Sequence, residues 1–124
     1  MENYQKELDE LREQIARRRE DNAVLRQLLQ QESACSRTVE QRLAEWDREH
    51  RDVERMERVS LSSVWASLRG TKEEDLRREK AEEQAALLKL QEAERQLEEI
   101  QAEIEDRRCR LRETEGCEAR YEAV

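Results

Sequence analysis

Proline and phenylalanine are absent from this chain of 124 residues, glycine occurs twice, histidine once, and aromatic residues make up 3%. Missing proline and scarce glycine remove the usual punctuation of loops and strand turns. Scarce aromatic side chains put a thick globular core out of reach. No apolar run approaches ~18 residues, which excludes a membrane-spanning helix. Met1-Glu-Asn-Tyr-Gln-Lys-Glu lacks the apolar core of a signal peptide, so a cytoplasmic location is expected. Basic stretches that outweigh the acids are missing too. The net charge is −8, which argues against general nucleic-acid binding, because phosphate neutralisation supplies most of that affinity. The three cysteines, Cys35, Cys109 and Cys117, are odd in number and show no CxxC spacing, which reads as reduced surface thiols. On one continuous helix Cys109 and Cys117 would stand ~12 Å apart along the axis, too far to bridge.

What remains is charge and helix formers. Charged residues reach 45%, and Glu, Arg, Leu, Ala and Gln dominate. A disordered chain would favour Pro, Ser and Gly instead; these residues favour helix and a long helix or coiled coil. With Leu8 taken as position a of a heptad, the a series is Leu8, Ile15, Asn22, Leu29, Ser36, Leu43, His50. The d series is Tyr4, Leu11, Arg18, Leu25, Glu32, Val39, Trp46, Val53. A seven-residue repeat held this long specifies a supercoiled helix, with polar interruptions at Arg18, Asn22, Glu32, Ser36 and His50. The second half repeats it. Leu76, Leu90, Leu97, Ile104 and Leu111 share an a series, and Ala86, Ala93, Ile100 and Tyr121 the matching d series.

Between the halves, charge nearly vanishes from Ser60 to Leu68. Gly70 suits a left-handed helix C-cap, and Thr71 with Glu74 three residues later forms a capping box. The expected architecture is therefore an all-α antiparallel two-helix coiled-coil hairpin: helix one over 1–59, an apolar tip over 60–70 with the turn at Gly70, and helix two over 71–122. The expected register sets Arg18 against Glu118, Asn22 against Thr114, Leu25 against Leu111 and Trp46 against Leu90. A parallel dimeric coiled coil is the alternative, since Asn22 at an a position is a familiar register device there.

The stretch from Ser60 to Lys80, with Ala85-Ala-Leu-Leu-Lys-Leu-Gln-Glu-Ala, resembles a pattern of bacterial helical-hairpin coiled-coil proteins of unassigned function. The resemblance implies the hairpin fold and brings no catalytic residues.

Candidate sites are few. His50 has one neighbouring ligand type, Glu54 at i+4, which does not make a zinc site. There is no glycine-rich phosphate loop and no cofactor or small-molecule signature, so the chain reads as non-enzymatic. Arg17, Arg18 and Arg19 come near Arg107, Arg108, Arg110 and Arg112 in the hairpin, a basic band suited to an acidic partner or a nucleic-acid backbone. Leu61, Val64, Trp65 and Leu68 have i, i+3, i+4, i+7 spacing and form an apolar face at the tip, a candidate protein contact. The function expected is a coiled-coil spacer or adaptor, with a protein partner or self-association. The alternative is a nucleic-acid-binding arm that uses the arginine band.

Overall fold

A computed structural model describes the backbone of residues 2–60 and 69–123 and the side chains of 3–58 and 73–123. Among these residues the chain is helical throughout except for one turn. Helix α1 runs Glu2–Ser60, α2 runs Arg69–Glu113 and α3 runs Cys117–Ala123. The expected apolar tip, with Leu61, Val64, Trp65 and Leu68, lies outside the described residues.

The packing divides the chain into two compact units, Met1–Ser33 with Glu98–Val124, and Ala34–Leu97. In each, the helices run antiparallel. In the first unit Arg12 meets Tyr121 and Asp21 meets Arg107; in the second His50 meets Glu83 and Glu57 meets Lys80. Partner numbers fall as α1 numbers rise. The heptad stripe of each helix is thus covered within one chain, as in the hairpin rather than the parallel dimer.

The α2 stripe is the one expected from the sequence. Every a and d position from Leu76 to Leu111 is buried or half-buried. Ala86, Leu90 and Ala93 are buried in the second unit and Ile104 in the first. Small alanines at d let the backbones approach and leave leucine and isoleucine to fill the seam.

In α1 the stripe is rotated. Beyond exposed Tyr4 the d series stays inward, with Leu11 and Val53 buried; Asp21 and Leu28 are buried beside it, while Asn22 is half-buried and Leu29 exposed. Leu28 is 5% exposed and Leu29 37%, and Leu43 rises to 49%. The register also differs from the expected one. Thr114 is reached by Arg18, not Asn22, an offset of one helical turn.

Two boundaries differ as well. α2 begins at Arg69, two residues before the expected Thr71, which puts Gly70 in its first turn; the segment Gly70 was expected to cap lies outside the described residues. Helix two, expected to be unbroken over 71–122, is interrupted at 114–116. Gly116 there has φ +79, a left-handed conformation open to glycine at little cost. The Glu115 N–H donates to the Arg112 carbonyl at 3.3 Å, and the Cys117 N–H to the Thr114 carbonyl at 3.2 Å. The turn swings Cys117 onto α3 and into the first unit, where it is fully buried. Cys117 is therefore a core residue rather than a surface thiol, and it shares no continuous helix with Cys109; all three cysteines are free.

The two glycines give opposite expectations. At Gly116 a Cβ meets nothing within 4 Å, so alanine costs only the left-handed backbone, about 1–2 kcal/mol. At Gly70, inside a helix, alanine is neutral or stabilising by up to ~1 kcal/mol. Urea unfolding of Gly116→Ala and Gly70→Ala checks both, and a loss at Gly70 with none at Gly116 would restore the turn to Gly70.

Candidate interaction surfaces

The first unit holds the arginine band, and the helices put its members to work internally. Arg18 sits at a d position. Its Nη1 donates to the Leu111 carbonyl at 2.6 Å and to Thr114 Oγ1 at 3.4 Å. Leu111 is in the last turn of α2, where carbonyls have no partner within the helix, so Arg18 caps α2 from across the seam. One turn on, Asp21 is buried, with Arg107 Nη1 2.6 Å and Arg110 Nη1 3.9 Å from its Oδ1.

The rest of the band is mostly paired too. Arg17 bonds Glu13, Arg110 also bonds Asp106, and Arg112 bonds Glu105 and touches Cys109 Sγ. Glu105 raises the pKa of the Arg112 guanidinium further. Arg19 is exposed. The structure therefore brings Arg17, Arg107 and Arg110 beside Asp21, in an open cleft also lined by Glu20, Glu113 and Thr114. It does not present a free cationic strip. Asp21, the counter-charge that organises the band, was missed at the sequence level.

Beside it, a groove of about 430 Å³ is lined by Arg12, Ile15, Arg19, Glu118, Tyr121 and Glu122, among others. Arg12 Nε donates to the Tyr121 hydroxyl at 3.0 Å, and its guanidinium lies 5.8 Å from the ring centroid, within cation–π range.

The second unit holds the histidine. His50 stacks on Trp46 with centroids 5.1 Å apart. Its Nδ1 lies 2.6 Å from Glu83 and its Nε2 3.1 Å from Glu54. A neutral imidazole has one N–H, and a carboxylate only accepts, so both contacts become hydrogen bonds only in the imidazolium. The hydrogen bond to Glu83 leads in raising the His50 pKa, with Glu54 adding to it against desolvation. The buried Trp46 Nε1 has no hydrogen-bond partner. Nearby, carboxylate oxygens of Glu49, Glu79 and Glu82 all lie within 4.8 Å of one another. Burial first, then Glu82, Glu49 and Asp52, raise the Glu79 pKa. Three oxygens fall short of the six to eight that calcium takes.

The remaining feature is apolar. Leu29 in the first unit, Leu43 and Leu88 in the second, and Tyr4 near the start of α1 stand exposed. Leu29 and Leu43 are the exposed members of an a series in which Leu8, Ile15, Asn22, Ser36 and His50 are half-buried. Comparison with protein families, curated proteins and solved structures finds no match to this chain, and no described helix is long and apolar enough to cross a membrane.

The His50 contacts fix a pH dependence. A raised folded-state pKa means stabilisation that is complete below the unfolded imidazole value and lost as pH rises through the folded value. The thermal midpoint of the wild type should therefore exceed that of His50→Gln at about pH 5.5, and the gap should shrink by about pH 8.5. A constant gap would show that the imidazolium contacts contribute nothing. Glu79 has the opposite consequence. Its ionisation opposes folding, so Glu79→Gln should raise the midpoint at neutral pH and lose that advantage in acid; a lowered neutral midpoint would show that its charge is compensated.

Proposed function

We propose that this chain is a non-enzymatic helical-hairpin module, a spacer or adaptor that offers the outer ridge of α1 to another helix. The observation that carries this reading is the exposure of Leu29 and Leu43 on a helix whose heptads are otherwise filled. Burying a leucine side chain fully is worth about 1.5–3 kcal/mol, and at 37% and 49% exposure much of that is unspent. Scattered exposed leucines are ordinary. These two belong to one heptad series, and they are the members of it left exposed while Leu8 and Ile15 are half-buried.

The open grooves beside the seam support a non-catalytic reading, because catalysis favours enclosed, water-poor sites. The nucleic-acid arm draws less support. Its guanidiniums are held by Asp21, Glu13, Glu105 and Asp106, and releasing them to phosphate would uncover buried Asp21.

Two kinds of substitution separate fold from interface. Leu28→Ala should cost about 2–5 kcal/mol, as buried leucines do. Leu29→Gln with Leu43→Gln should keep the helix content and change hairpin stability by less than ~1 kcal/mol. A photo-crosslinker in place of Leu43 should then join the chain to one discrete helical partner. A double variant as unstable as Leu28→Ala would assign these leucines to the hairpin itself and overturn the reading.

A further inference from the structure

Helix α3 is held to α1 by little. Of its residues Cys117 is buried, Tyr121 is half-buried and the rest are exposed. Open clefts of about 430 and 330 Å³ flank it, lined by α1 and α3 residues alone. Polar contacts cross at Arg12, which reaches the Tyr121 hydroxyl at 3.0 Å, and at Arg120, which reaches Gln14 at 3.5 Å. A helix this short has no stability of its own. The break before it is equally slight. The Thr114 N–H bonds the Arg110 carbonyl at 3.2 Å and the Arg120 N–H the Gly116 carbonyl at 3.0 Å, both in the i→i−4 pattern of an unbroken helix. Between them the Glu115 N–H stops one residue short, at Arg112. In an unbroken helix it would take the Leu111 carbonyl, which Arg18 Nη1 holds instead at 2.6 Å.

We infer that Gly116 is a joint with two positions. In the bent position, seen here, α3 turns away from α2 and Cys117 is sunk in the core of the first unit. In the straight position Gly116 takes a helical φ, α2 runs on through Ala123, and Cys117 comes out to solvent. The exchange changes few bonds. The N–H groups of Glu115 and Cys117 pass from the Arg112 and Thr114 carbonyls to those of Leu111 and Glu113. No proline stands in 107–123 to forbid it. Tyr121 keeps the d position of the α2 stripe in the straight helix, whereas Cys117 moves to a g position beside the stripe. Arg18 is the catch of the bent position, because it occupies the carbonyl that the straight helix needs. Glycine lets the two positions lie close in free energy, since it alone takes the left-handed φ at little cost. Openings of this kind lie below the free energy of global unfolding. The joint lies wholly within the first unit and does not depend on how the outer ridge of α1 is used.

Alkylation of the full chain by iodoacetamide, resolved peptide by peptide by mass spectrometry, reads the joint through Cys117. Exposed Cys109 is the internal standard. In the wild type Cys117 should label more slowly than Cys109, at a rate nearly flat over low urea, since opening the joint exposes little surface and global unfolding exposes much. Gly116→Ala should speed Cys117 by ~5–30-fold, which is the 1–2 kcal/mol cost of a left-handed L-residue at 1.4 kcal/mol per tenfold. Gly116→Asn, whose side chain tolerates that backbone better, should speed it less. Arg18→Met keeps an apolar stem but gives up the Leu111 carbonyl, and it should also speed Cys117 while Cys109 stays unchanged. Circular dichroism of Gly116→Ala should hold or gain helix. Cys117 labelling that climbs steeply with urea from the start overturns the joint, as do equal wild-type rates for the two thiols or no acceleration by Gly116→Ala. A loss of helix in Gly116→Ala would show α3 unravelling and overturns the straight position.

Discussion

Asp21 and Arg107 must enter the seam together, because removing either from a buried pair strands the other charge away from water. Their 2.6 Å contact is made with Arg18 one turn earlier, hydrogen-bonded to the end of α2. Positions 18 and 21 on α1 thus grip positions 107, 110 and 111 on α2, and the grip fixes how α1 is turned about its own axis. Hydrophobicity alone cannot decide that turn. Leu28 and Leu29 are the same residue type, and burying either one gains the same transfer free energy. The polar contacts break the tie. With Asp21 facing inward, Leu28, one heptad or about two helical turns later, also faces inward, and Leu29 is left outside.

The second unit obeys the same constraint with weaker groups. Among its described residues the buried apolar ones are Val53, Ala86, Leu90 and Ala93, two of them alanines with little area to contribute. Orientation is again supplied by polar contacts, His50 to Glu83 and Glu57 to Lys80. Surface ion pairs contribute little stability, but they discriminate between rotations and registers whose apolar burial is nearly equal. Here their role is specificity more than strength.

That division explains what could be read from the sequence. The α2 stripe was legible to the residue because its a and d series carry the apolar side chains and the neighbouring positions carry charge. In α1 the d series was legible and the a series in part, with Leu29 and Leu43 exposed and the rest half-buried, since Asp21 reads as a solvent-facing residue until Arg107 is placed opposite it. The one-turn register error has the same source: Arg18 was matched to Glu118 by charge, whereas it serves the carbonyl of Leu111. At Gly70 the capping-box pattern, strong in isolation, put the helix start at Thr71, whereas α2 begins at Arg69. Gly116 passed unnoticed because Tyr121 stays in phase with the stripe across the break. Of the basic band, the proximity was legible and the neutralisation was not.

Like charges at heptad spacing, as at Arg12, Arg19 and Arg26 on α1, have little effect inside the hairpin itself. Successive residues of such a series are ~10.5 Å apart along the axis, about one Debye length at ordinary ionic strength, so three arginines in a row neither help nor much harm their own helix. Alternating signs at i,i+4 would have stabilised it slightly, and they appear elsewhere, as with Arg17 and Glu13 or Arg110 and Asp106. A molecule with net charge −8 also repels its own copies at long range.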